Sequence, residues 1–425
     1  MFKLLTLKNQ AKLILAPMKE TKAVTVLVLF KVGSRYESTQ LNGLSHFLEH
    51  MLFKGTKKRP NTLDISKALD QVGADFNAFT TKDLTGFYVK VIDKKVELAV
   101  DVLSDILFHS KFEIKEMAKE KGVIIEEINM YEDNPLLYIE DLMERTVFGS
   151  GPLGRLVIGS RENIRRFSRS ELVRYHQKFY HPKNMLIAVA GNFEEKKVKN
   201  LIGKYFNPKS QKNKAPVFRR FSSKQKKPQV TLKFKETEQV QVGLGFKAFS
   251  YFDKNIYPFY LLSVILGGSM SSRLFIEMRE RRGLCYYIKA IPNIYEDTGL
   301  LFIQAGLDKS RIFEALAVLW QELMKIKKQG VSPAELKRAK DFLKGKLVLE
   351  LEESSEIASF LAKQQLLTGK IEKPEEKFKK VDKVTRAEIK RAAAKILSKK
   401  LMNLVVIGPF AKKNEFVRFI DRNLK

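Results

Sequence analysis

At 425 residues with 44% hydrophobic content, the chain is too long for one ordinary core and has a globular composition, so two domains of about 200 residues are expected. Its single cysteine, Cys285, excludes an intrachain disulfide, fits a reducing compartment and reads as a small buried hydrophobe rather than a nucleophile. The formal charge of +30 is spread along the chain without an interleaved aromatic binding module, which sets nucleic acid below acidic substrates or simple compositional bias as its explanation.

Met1 to Lys8 has no apolar core and no cleavage site, and reads as a strand rather than a signal peptide. The longest apolar run, Ala23 to Phe30, is strand-sized and far too short to cross a bilayer, so a cytoplasmic protein without a membrane partner is expected. That strand feeds the stretch Gly43 to Phe53. At helical period Leu44, Phe47, Leu48, Met51 and Leu52 form a core-facing stripe, and His46, Glu49 and His50 take the opposite side. Two imidazoles at i and i+4 can grip one ion, and neutral imidazole suits zinc. The carboxylate between them is placed to take a proton from water at the metal, which is the H-x-x-E-H order.

A second helix starts at Thr62 and stops near Gly73. Ala74 to Thr81 and Leu84 to Ile92 read as a hairpin-like pair of strands, and Val96 to Phe108 as a helix. From Phe112 to about Tyr131 a longer helix brings Glu113, Glu116, Glu120 and Glu127 to one face, with Glu126 about 100° away. Alone, such a row is a solvated surface. Beside two histidines that lack a third protein ligand, Glu127 supplies the missing oxygen, and Glu120, one heptad earlier, stands behind the ligands as a supporting carboxylate.

Another helix follows Pro135, then a glycine-rich turn at Gly149 to Pro152, a capped helix from Ser168 to Phe179 and a buried strand from Asn184 to Phe193. Lys196 to Lys235 holds fourteen basic residues and no acidic one, the mark of a solvated linker. Domains at 1–210 and 229–425 are therefore expected, joined by a basic linker at 211–228. Beyond it the pattern repeats. Ser168-Arg169-Ser170-Glu171 recurs as Thr385-Arg386-Ala387-Glu388, and Gly191-Asn192-Phe193 as Gly408-Pro409-Phe410, both 217 residues on, while Phe30-Lys31 recurs at 216 as Phe246-Lys247. A shared offset points to a duplicated domain. The second copy contains no histidine, and His46, Glu49 and His50 fall on Leu262, Ile265 and Leu266, so only the first domain can hold the ion. In the second, Gly267 to Ser272 is a flexible turn leading into a short basic helix, Arg273 to Gly283, then a strand at Tyr286 to Ile288.

These residues resemble, over essentially the whole length, the pitrilysin and mitochondrial-processing-peptidase family, the inverzincin peptidases. The likeness is carried by His46 to Thr56, Asn77-Ala78-Phe79-Thr80, Glu120 to Ile128, Ser271-Ser272-Arg273-Leu274 and Arg279 to Tyr286. It implies an α+β fold of two similar domains, each a mostly antiparallel sheet flanked by helices. It implies one Zn2+ per chain on His46, His50 and Glu127, with Glu49 as base and Glu120 in support. Asn77, Ala78 and Phe79 would form the sheet edge on which a peptide docks, and Arg279 and Tyr286 would reach the substrate from the second domain. The implied activity is a zinc-dependent endopeptidase acting on extended peptides or unfolded presequence-like segments inside a closed chamber. Because the zinc motif and the Arg/Tyr pair share one chain, a homodimer is favoured over a heterodimer with a related subunit. The competing readings are an inactive scaffold subunit of the same fold and, further off, a basic nucleic-acid-binding protein. Cys285 departs from the small residues, such as Ala, common at that place in the family.

Overall fold

The computed structural model describes residues 2–208 and 216–424. They divide into two compact units, and the sheets and helices of each make the protein α+β, as expected. The first unit takes the chain up to Asn129, from Arg155 to Arg219 and from Leu349 to Ile371, and the second takes the rest.

In the first unit the strands are β1 (Lys3–Thr6), β2 (Lys12–Pro17), β3 (Ala23–Phe30), β4 (Asp75–Thr80), β5 (Thr85–Ile92) and β6 (Met185–Gly191), in the order β1-β2-β6-β3-β5-β4. Every pairing is antiparallel except β2 with β6. β3 is central and buried from Val24 onward, so its near-continuous apolar run serves two covered faces. The second unit holds β7 (Gln229–Phe234), β8 (Gln239–Ala248), β9 (Cys285–Ile294), β10 (Gly299–Asp308) and β11 (Met402–Gly408), in the order β7-β11-β8-β10-β9. Here too only one pairing, β7 with β11, is parallel. Five strands thus follow one topology twice. The recurrent Ser168 and Thr385 each close a capping box, with Glu171 and Glu388 respectively.

Four helices build the site or seal the sheets: α1 (Leu44–Leu52), α2 (Ile114–Asp133), α3 (Pro135–Phe148) and α4 (Ser354–Thr368). The contiguous split at 1–210 and 229–425 differs from the compact units in two of them. α3, early in the chain, belongs to the second unit, and α4, late in the chain, to the first. α4 lies on β3 and β6, where Ser354 Oγ and Thr25 Oγ1 share a buried hydrogen bond of 2.8 Å and Ala358, Leu361, Ala362 and Leu367 are buried. In the second unit Ile139, Leu142 and Met143 of α3 cluster with Leu300, Phe302, Val405 and Ile407. The alternate residues Leu301, Ile303, Leu404 and Val406 face the larger core on the opposite side of the sheet. Gly243 and Gly245 of β8 make room for α3: a Cβ on Gly245 would lie 2.2 Å from Met143 Sδ. The physical reason for the difference is that a composition shift marks a linker but does not record where a helix docks. A sheet with two apolar faces demands a cover on each, and here the second cover comes from a distant stretch of chain.

Of the expected linker at 211–228, residues 211–215 lie outside the described residues, and 216–228 contain no helix or strand. The latter stretch is nonetheless pinned, which a purely solvated linker would not be. The Arg35 guanidinium lies 3.6 Å from the Phe218 ring in the first unit. In the second, Phe221 packs edge-on to Phe148, and its N–H donates to Asp297 Oδ2 at 2.7 Å. Among the described residues no helix is long and apolar enough to cross a membrane.

Candidate metal centre

α1 is built as its periodicity requires. Leu44, Phe47, Leu48, Met51 and Leu52 are buried, and His46, Glu49 and His50 sit half-buried on the other side. Its N-cap, Gly43, takes φ +101 and has no side chain to satisfy the free amides. Glu37 does so instead: Oε2 accepts from Gly43 N at 2.8 Å and Asn42 Nδ2 at 3.0 Å, and Oε1 from Ser45 N at 2.7 Å. Burial pushes this carboxyl up to about 7 despite those donors. On α2, Glu120 is buried and Glu127 half-buried, while Glu126 is exposed and bonds only locally, with Asn129.

The two helices bring one nitrogen each from His46 and His50 and one oxygen from Glu127 within 4.8 Å of one another. His46 Nε2 lies 3.7 Å from Glu127 Oε1 and His50 Nε2 lies 3.5 Å from Glu127 Oε2. Behind them His50 Nδ1 donates to Glu120 Oε1 at 2.8 Å, and Lys54 Nζ sits 2.7 Å from Glu120 Oε2. Burial, reinforced by the neighbouring His50, holds His46 down to about 4. Burial also opposes charge on His50, but the Glu120 and Glu127 carboxylates outweigh it and raise this imidazole to about 9. Both carboxylates are disfavoured as ions by burial, yet their basic neighbours hold them below the usual range.

The donor set fits a zinc ion. Two nitrogens and one oxygen are the ligand chemistry zinc takes at a site that keeps one position open. His46 Nδ1 and Glu127 Oε2 are buried without a hydrogen-bond partner, and the carboxylate oxygen is among the atoms the cluster would present to the ion. The bond from His50 Nδ1 to Glu120 fixes the ring so that Nε2 faces the cluster. Since ligation needs neutral imidazole, loading an ion would displace the proton from His50.

Glu49 accepts a hydrogen bond from Thr80 Oγ1 at 2.6 Å, and burial raises its pKa. Asn77, Ala78 and Phe79 lie on β4, at the open edge of the first sheet, with Asn77 exposed. Glu113 and Glu116 pair with Lys111 and Lys119 and take no part in the cluster. In the second unit the Arg279 guanidinium lies 5.7 Å from the Tyr286 ring and 4.9 Å from that of Phe275. Tyr286 is 74% exposed. The short basic helix before it contains a π-helical turn, Phe275–Glu280, and Cys285 is buried, its thiol pushed up to about 11 by burial. Sequence reasoning gave no role to Glu37, Lys54 or Thr80, although Lys54 and Thr80 lie inside stretches that carry the family likeness. Glu37 left a physical signal: a helix opening on glycine needs its cap from elsewhere.

Fold and cluster together define a class, the two-unit metallopeptidases of the M16 type, and comparison with known proteins places the chain there. Residues 13–161 match the family described as insulinase (peptidase family M16), and residues 166–343 match the peptidase M16 inactive domain. The chain is 37% identical over 370 residues to the uncharacterized zinc protease YmxG of Bacillus subtilis, covering 87% of this chain and 89% of that one. It is 34% identical over 414 residues to the uncharacterized zinc protease SCO5738 of Streptomyces coelicolor, covering 96% and 90%. A protease from Helicobacter pylori has the same fold, with a TM-score of 0.88 at 24% identity over 96% of this chain and 99% of that one. The chain belongs to the M16 peptidase family.

Proposed function

We propose that the protein is a zinc-dependent endopeptidase acting on extended or unfolded peptides. The observation that carries the reading is the convergence of His46, His50 and Glu127, with Glu49 beside them on the same helix. Bound there, zinc would acidify water at the site and polarise the scissile carbonyl. Glu49 takes the proton of the attacking water on its carboxylate and delivers it to the leaving amine; a pKa raised by burial makes that carboxylate the stronger base for the first half of the transfer. The open edge at Asn77, Ala78 and Phe79 accepts the substrate as an added strand, so backbone bonds dominate recognition and extended peptides outcompete folded proteins. Arg279 and Tyr286, neighbours in their own unit, are assigned by family likeness to the substrate carbonyl and its developing oxyanion.

A complete ligand set speaks against an inactive scaffold subunit. Since one chain carries both the ligands and the Arg/Tyr pair, a homodimer enclosing the substrate is favoured over a heterodimer with a related subunit, to be checked by light scattering. The test of function is a mixed oligopeptide library, read by mass spectrometry with and without a chelator. Turnover is expected to vanish with the chelator, and to fall roughly 10²–10⁴-fold in Glu49→Gln while zinc stays bound. Undiminished cleavage in either arm refutes the reading.

A further inference from the structure

The base and the docking edge meet at one residue. Thr80 ends β4, and its hydroxyl donates to Glu49 Oε2. We propose that Thr80 is a positioning residue: its hydroxyl aims the Glu49 carboxylate, and its backbone places that aim in the same rigid frame as the strand on which a peptide docks. This rests on the peptidase reading.

Glu49 needs such a restraint: three torsions separate its carboxylate from the helix backbone, and the hydrogen bond from Thr80 is what fixes them. Thr80 holds it well, because a β-branched side chain has few χ1 choices and its only proton is committed to this bond. The other carboxylate oxygen is left for the transferred proton.

The corner that carries Thr80 is itself locked. Thr80 pairs with Thr85, and Thr81 closes the turn through N and Oγ1 to Leu84 O at 2.8 and 2.9 Å. The segment before α1 clasps the turn from outside. Ser34 N donates to Thr81 O and Arg35 N to Lys82 O, both at 3.1 Å, and Arg35 pairs with Asp83 at 2.8 Å in a buried site. Gly33 permits this approach, since a Cβ there would stand 2.2 Å from Thr81 O. Asn77, three residues back on the same strand, stays exposed at the open edge. One end of β4 is thus fixed to the base and the rest is free to pair, which sets a constant offset between peptide register and proton acceptor. Near-attack geometry is that sensitive: a misplacement of about 1 Å costs on the order of 10²-fold in rate.

The test compares Thr80→Val, which keeps the shape and loses the proton, with Thr80→Ser, which keeps the proton. Thr80→Val is expected to lower kcat roughly 10- to 100-fold, with KM and zinc affinity (chelator competition on apo protein) within about twofold. Thr80→Ser is expected to keep kcat within about threefold, and Thr80→Ala to follow Thr80→Val. Unchanged kcat in Thr80→Val, a rise in KM instead, a fall in zinc affinity, or an equal loss in Thr80→Ser each overturns the proposal. Those results need an active wild type, so they leave the peptidase reading standing. A wild-type protein that cleaves no peptide removes both.

Discussion

Glu37 caps the helix that carries the candidate ligands, and it does so as a buried group whose ionisation is costly. Its carboxyl lies near 7 when folded, against 4.5 for the free side chain. The unfolded chain therefore holds fewer protons at this site between those values, and the stability the group contributes is complete below about 4.5 and lost as the pH rises through about 7. The span is worth about 3 kcal/mol. Glutamine cannot ionise, but it has one acceptor oxygen where both oxygens of Glu37 accept, so its NH2 must face at least one of Gly43 N, Ser45 N and Asn42 Nδ2. Glu37→Gln should therefore be the less stable protein in acid, and should gain about 3 kcal/mol on the wild type as the pH rises through about 7. The assay is urea unfolding of the zinc-free proteins, wild type and variant, between about pH 4.5 and about pH 8. A difference that stays flat, or a wild type that gains on the variant as pH rises, would mean the three donors outweigh burial and would refute the reasoning.

Helix exchange and ligand support each give a further expected outcome. A fragment ending at Arg219 lacks α4, and with it the burial of Leu361 and Leu367, worth about 3–6 kcal/mol before the uncovered sheet is counted. It should be protease-sensitive and bind zinc poorly until a peptide spanning 349–371 is added, and a fragment that folds alone would contradict the exchange of helices. Glu120→Gln removes the charged partner of His50 Nδ1 and of Lys54, and should weaken zinc binding about 10- to 100-fold by chelator competition, whereas Glu126→Gln, exposed on the same helix, should leave it unchanged.

The spacing behind the candidate cluster was legible because the residues that each of its two helices contributes follow one regular period. The i, i+3, i+4 spacing of His46, Glu49 and His50 fixes their common face without knowledge of the fold. On α2 the same period separates Glu120 and Glu127 from Glu126, and burial follows that phase. The duplication was legible for a related reason: capping boxes and strand ends are local, so they survive as matching words 217 residues apart. What could not be read depends on where elements dock. The cap from Glu37 crosses a turn, Thr80 reaches from a strand to Glu49 on a helix, and α3 and α4 cover sheets far from them in sequence. The three hidden features bear on one another. α4 covers β3, the segment after β3 supplies both Glu37 and the Arg35 clasp on the Thr80 corner, and those two hold the start of α1 and the aim of Glu49. The candidate ligand set is therefore written in local periodicity, whereas the precision a proton transfer needs is supplied by long-range packing. A short motif match can establish the first and says nothing of the second.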